Sequence, residues 1–210
     1  MAEQTIAFQF STSEQQGEAA TLGMWAFLAT EVLFFGALIA GYFNYRIWFG
    51  AEFIAAARHT KWMLGTANTA ILLTSSAFMA MAVACEGPRY GRRTLFWLIG
   101  TVLLGAAFIA IKGFEYYLEY QEHLVPALNF DGGHYGNVAQ IFFTFYFCAT
   151  GLHALHLLIG MSLVSWLAIG VVRGKAHRSQ TTRLIALYWH FVDLVWVFLF
   201  PLIYLAGRNG

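Results

Sequence analysis

Tyr188-Trp189-His190-Phe191-Val192-Asp193-Leu194-Val195-Trp196-Val197-Phe198-Leu199-Phe200 is the stretch on which the reading of this chain turns. It lies inside an apolar run of roughly 24 residues, 183–206, long enough as a helix to cross a hydrocarbon core of about 30 Å. The run nevertheless carries a histidine and a carboxylate three residues apart, a spacing that puts both on one helical face. A charged side chain at the centre of a bilayer costs about 2.5–3.5 kcal/mol on insertion scales, so one that is kept there has a reason to be there.

The same theme recurs along the chain. Its 210 residues are 59% hydrophobic, 18% aromatic and 11% charged, with a mean hydropathy of +0.60, whereas soluble domains carry about 25% charged residues. The pattern predicts an all-α membrane protein, a single bundle of five transmembrane helices at about 23–46, 62–85, 94–120, 138–172 and 183–206. A polar segment, 1–22, precedes them and a short tail, 207–210, follows. The opening segment, with three glutamates and no Lys or Arg up to Thr21, has neither the positive start of a secretory signal nor the Arg-rich character of a transit peptide. No basic run or Gly-rich phosphate loop points to nucleic acid.

Loop charge sets the expected orientation. Arg89, Arg92, Arg93, Arg173, Lys175, Arg178 and Arg183 fall on the N-terminal side, and Arg46, Arg58, Lys61 and Arg208 on the other. Seven against four places the N-terminus in the cytoplasm and the C-terminus outside. Trp62, Trp97, Tyr188 and Trp189, near span ends, read as interfacial anchors.

Within the spans the polar residues are few. Glu31 stands alone in the first, sharing a face with Phe27, Leu28, Phe34, Leu38 and Tyr42, while Gly36, Ala37, Ala40 and Gly41 offer a close-packing surface on the other side. It reads either as a proton-exchanging or lipid-contacting carboxylate or as a structural hydrogen-bond partner. His190, at a similar expected depth, is the partner the spans suggest for it. Lys112 and Glu115, three apart in the third span, read as an ion pair near the external interface, where the lysine can snorkel. His153 and His156 share a face in the fourth span; with no obvious third ligand they favour interhelical hydrogen bonding over metal or haem ligation. His190 and Asp193 likewise read as ties between helices. Cys85 and Cys148 lack metal-ligand spacing, fall at different depths and read as small buried residues.

Four motifs together resemble subunit III of the haem–copper respiratory oxidases. The first is Gly23-Met24-Trp25-Ala26-Phe27-Leu28-Ala29-Thr30-Glu31-Val32-Leu33-Phe34-Phe35, with Thr30 where many members have serine. The second is Leu104-Gly105-Ala106-Ala107-Phe108 followed by Glu115-Tyr116. The third is Thr150-Gly151-Leu152-His153-Ala154-Leu155-His156, with Ala154 where glycine is common. The fourth and most specific is Tyr188-Trp189-His190-Phe191-Val192-Asp193.

The resemblance implies a subunit with no catalytic residue, redox cofactor or metal of its own, in the short five-helix form. It implies direct packing on subunit I, with subunit II and a small subunit IV in the same complex, and haem and copper in those partners. Cytochrome c would be the donor to the complex, bound phospholipid a companion, and the bacterial inner membrane the location, with the chain supporting stability, proton uptake and lipid or oxygen access. Glu31 would be the carboxylate beside a lipid cleft, and His153, His156, His190 and Asp193 the polar ties. The long form of the family has two further helices, so one wall of that cleft would come from elsewhere. Alternatives from the same motifs are a quinol oxidase subunit or an accessory chain of a nitric oxide reductase. A haem-carrying anchor and a small transporter using Glu31 and Asp193 are the readings from other classes.

Overall fold

A computed structural model describes residues 9–85, 91–126, 128–174 and 179–207. Arg89, Lys175, Arg178 and Arg208, four of the cations behind the expected orientation, lie outside the described residues.

The chain is helical from Ser13. Thr12 caps α1 (Ser13–Trp48), its hydroxyl accepting the Gln15 amide at 3.1 Å. The segment expected to be merely polar is therefore helical from Ser13 onward, because Glu14, Gln15, Gln16, Glu18, Ala19 and Ala20 all favour helix once a cap is present. A short amphipathic helix, α2 (Gly50–Ala57), turns the chain and buries Phe53, Ala56 and Ala57. Then follow α3 (Trp62–Ala84), α4 (Arg92–Gln121), α5 (Gly132–Val172) and α6 (Ser179–Phe200). Gly136, at φ +80°, interrupts α5 near its start, a left-handed conformation that glycine adopts without a Cβ clash. Pro201–Leu205 closes the fold as a single π turn. Five of these helices are long and apolar enough to cross a membrane, and no strand occurs among the described residues.

Helix α6, which carries the opening stretch, is the hub. It touches α1, α3 and α5, and 56% of its apolar window is buried, against 11% for α1. Tyr188 and Trp189 are therefore not interfacial anchors. They sit about 14 Å inside a helix that begins at Ser179. Trp189 is fully buried and donates its indole N–H to Ser75 Oγ at 3.3 Å, while Tyr188 donates to the His156 carbonyl at 3.1 Å.

Helix α1 meets the bundle through Leu28, Phe35 and Tyr42, spaced by seven, a narrow seam. The small residues Gly36, Ala37 and Ala40, expected to allow close packing, point away from the rest of the chain and are exposed. Cys148 is exposed rather than buried, and Cys85 half-buried; both are free thiols.

One stripe of α4, running from Thr94 through Leu98, Thr101, Gly105, Phe108, Lys112 and Glu115 to Glu119, is buried along its whole length. At Gly105 three helices converge: a Cβ there would stand 3.1 Å from both Met161 of α5 and Trp189 of α6. Replacing Gly105 with leucine should destabilise the bundle by about 1–3 kcal/mol through overpacking, read as a lower denaturation midpoint in detergent. Leucine at Gly113, where a Cβ meets nothing, should leave that midpoint in place.

Candidate functional site: buried polar ties between helices

The most extensively hydrogen-bonded of the buried polar groups is a closed cage on α4, α5 and the π turn. Lys112 is 2% exposed and Glu115 fully buried, so the lysine does not snorkel to the interface as its position in the sequence suggested. All three of its donors find acceptors instead: Glu115 Oε2 at 3.0 Å, Tyr146 Oη at 2.8 Å and Tyr204 Oη at 2.5 Å. Both phenols in turn donate to Glu115 Oε1, at 3.0 Å from Tyr146 and 2.8 Å from Tyr204. Four aromatic faces surround the ammonium, the Tyr146 ring nearest at 4.6 Å. A charge-assisted cage of this kind, with every donor used, is the form in which an ion pair tolerates burial. Beside it Tyr116 donates to Thr150 Oγ1 at 2.6 Å; the single Thr150 proton is committed to the Tyr146 carbonyl at 2.7 Å, which fixes the direction.

The second tie links α1 to α5. Glu31 Oε2 lies 3.1 Å from His156 Nε2, in side chains that keep 18% and 13% of their exposure. The other ring nitrogen, Nδ1, is 2.8 Å from the Leu152 carbonyl. A carbonyl can only accept, so Nδ1 carries a proton. The Glu31–His156 contact then holds one further proton, on either the carboxyl or Nε2. Both arrangements are neutral as a pair, which is what an apolar surround demands.

His190 does not meet Glu31. Its Nδ1 is 2.6 Å from Ser76 Oγ on α3. The expectation that paired Glu31 with His190 by depth fails because two helices, α5 and α6, both flank α1, and Glu31 faces α5. Asp193, 3% exposed, also lies near Ser76 without a hydrogen bond to it. His153 is 1% exposed, edge-on to Phe108 and tilted over Trp196 with ring centroids 5.0 Å apart. It makes no hydrogen bond among the described residues, where no group of three or more His, Cys, Asp or Glu side chains suited to a metal occurs either.

Several ties were not evident from the sequence. Tyr146 and Tyr204 complete the cage, Tyr42 donates to the Leu202 carbonyl at 2.9 Å, and the Trp196 indole N–H reaches Thr69 Oγ1 at 3.0 Å. The signal for the tyrosines and Trp196 was a polar atom on a residue that otherwise reads as apolar. Asn68 is also fully buried, in the uncharged α3, but makes no hydrogen bond among the described residues and is not a tie. Between α1 and α6 runs an apolar groove of about 790 Å³ lined by Trp25, Leu28, Val32, Leu187, His190 and Phe191 among others; Glu31 is not in its wall.

Two substitution series separate these ties. Lys112→Met alone should cost about 3–5 kcal/mol by stranding Glu115, whereas Lys112→Met with Glu115→Leu should recover most of that loss. Glu31→Gln and His156→Ala should couple by about 0.5–3 kcal/mol in a double-mutant cycle, while Glu31→Gln and His190→Ala should add. Unfolding in detergent monitored by circular dichroism reads both series.

The family model described as cytochrome c oxidase subunit III matches residues 1–208. A probable cytochrome c oxidase subunit 3 from Nocardia farcinica is 33% identical over 189 residues, covering 88% of this chain and 86% of that one. A haem–copper oxidase subunit I+III from Aeropyrum pernix is 30% identical over 192 residues, 87% of this chain, which spans only 22% of that longer protein. A probable quinol oxidase subunit 3 from Staphylococcus saprophyticus is 29% identical over 196 residues, covering 91% of each.

Proposed function

Because this chain belongs to the cytochrome c oxidase subunit III family, we propose that it is the non-catalytic membrane subunit of a proton-pumping cytochrome c oxidase. The observation that carries the reading is the family match, which runs through all five apolar helices. In this reading the chain packs on subunit I, with subunit II and a small fourth subunit in the complex. The fused subunit I+III relative supports that pairing, since one gene product there carries both names. Haem and copper belong to the partner subunits, and cytochrome c delivers the electrons.

The chain's own contribution is to hold a stable apolar surface beside the catalytic subunit. The Lys112–Glu115 cage, the Glu31–His156 pair and the Ser76–His190 contact each join different helices, which suits ties better than a conducting path. His153 and Asp193 are buried on the same helices but make no hydrogen bond among the described residues, so the tie role expected of them falls to the other groups. The groove between α1 and α6 offers room for lipid acyl chains next to the bundle, and Glu31, 3.1 Å from His156 at the edge of the bundle, is the carboxylate to which a lipid-contacting or proton-related role falls. The N-terminus faces the cytoplasm of a bacterial inner membrane and the C-terminus the outside, following the Lys/Arg bias of the loops. A quinol-oxidising complex is the second reading, favoured by relatives of that kind at 29–30% identity.

The test is purification of the tagged chain in mild detergent. The intact complex should show haem bands and copper, and the chain stripped of partners neither; haem remaining with the stripped chain would overturn the assignment. Oxygen uptake by the complex should follow reduced cytochrome c, whereas uptake with a quinol alone would select the second reading. A complex depleted of the chain should start at a comparable rate and lose activity sooner during turnover.

A further inference from the structure

A second groove, of about 660 Å³, opens where residues 58–64, at the end of α2 and the start of α3, face the end of α4. Its wall changes character in one direction. Glu122, just past α4, and Leu118 and Phe114 on α4 are spaced by four and form one stripe. From Glu122 to Phe114 that stripe descends about 12 Å, from a charged rim into apolar surface. Phe114, at the inner end, keeps 54% of its surface exposed, and Met63, nearer the rim, 68%.

The rim is cationic. Lys61 Nζ reaches Glu122 Oε1 at 2.5 Å, which neutralises the one carboxylate in the groove. Arg58 gives its Nε–H to the Gly207 carbonyl at 3.3 Å, and its terminal guanidinium nitrogens have no acceptor among the described residues. Among the described residues, then, that guanidinium has no carboxylate partner, and it stands above an apolar track at the level where α3 begins. The groove between α1 and α6 differs in that no Lys, Arg, Asp or Glu lines it. It can take an acyl chain without selecting a headgroup.

We propose that the Arg58 groove is a binding site for an anionic phospholipid, its phosphate on Arg58 beside the Lys61–Glu122 pair and an acyl chain along Leu118 and Phe114. Charge complementarity selects the headgroup, since a guanidinium pairs with a phosphate bidentately. The graded stripe selects a lipid over a free phosphate. This site stands apart from the Proposed function and can fail without it.

The full-length chain would be reconstituted in vesicles of equal phosphatidylglycerol and phosphatidylcholine, re-extracted in mild detergent, and its retained lipids counted by mass spectrometry. Phosphatidylglycerol should be retained in clear excess. Arg58→Gln should cut that excess about fivefold, the worth of one basic side chain at an anionic surface, and Arg58→Lys, which keeps the charge but not the planar fork, should restore it only in part. Leu118→Trp, which leaves the charges alone and fills the track, should lower retention while circular dichroism and the unfolding midpoint show an intact bundle. Equal retention of the two lipids, or an excess unchanged in both Arg58→Gln and Leu118→Trp, would overturn the proposal. Competition by glycerol phosphate as strong as by phosphatidylglycerol would make the site one for phosphate alone and overturn it too. Retention by the isolated chain that vanishes in the intact complex would reassign the groove to a partner subunit.

Discussion

Hydrocarbon offers no hydrogen-bond partner, so a charge that enters it has to bring its partners along. Lys112 does so with three acceptors, two of which pass their own protons to the carboxylate that balances its charge. The cage uses side chains from α4, α5 and the π turn, so it can close only when those three elements are in register. Removing Lys112 or Glu115 leaves the other as a stranded buried charge, a penalty that depends on the partners being in place. The polar cage thus specifies the arrangement of helices that the apolar surfaces permit but do not dictate.

The π turn follows from the same constraint. Pro201 has no N–H to give to the preceding turn, so the α-helical ladder of α6 is broken where the proline enters. A π turn encloses one more residue than an α turn, which displaces Tyr204 around the axis relative to a continued helix. In its observed place Tyr204 reaches both Lys112 and Glu115, and the neighbouring Leu202 carbonyl accepts from Tyr42 of α1. One irregular turn therefore ties α6 to α4 and to α1 at once, which is a physical reason for a break that α-helix propensity alone would disfavour.

Much of this was legible in the chain. Length and hydropathy were enough to place five long apolar helices, and the three-residue spacing was enough to pair Lys112 with Glu115. What could not be read was azimuth, the direction a helix face points once packed. Glu31 and His190 have comparable depths, but depth does not say whether Glu31 turns toward α5 or α6; it turns toward His156. Tyr188 and Trp189 look like boundary residues because amphipathic rings suit an interface, yet α6 starts early enough to carry both into the core. Tyr146 and Tyr204 were overlooked for the opposite reason. A tyrosine in an apolar run contributes mostly ring, and its hydroxyl acquires meaning only when a distant charge is brought against it.

Helix α1 poses the remaining question of architecture. With 11% of its apolar window buried, it holds to the bundle by a seam of Leu28, Phe35 and Tyr42 and by the Glu31–His156 contact, while its small residues face away. Lipid tails are as apolar as leucine, so an exposed apolar face alone creates no drive toward a neighbouring helix. Small residues do, because they let backbones approach closely enough for packing forces to act. Gly36, Ala37 and Ala40 together give α1 such a face. A helix needing only lipid around it would lose nothing by carrying larger side chains there. Of Gly36, Ala37, Ala40 and Gly41, Gly41 alone is used inside the bundle, where a Cβ would stand 3.2 Å from Phe145, so what holds α1 is its narrow seam and its few polar contacts, Glu31 with His156 among them.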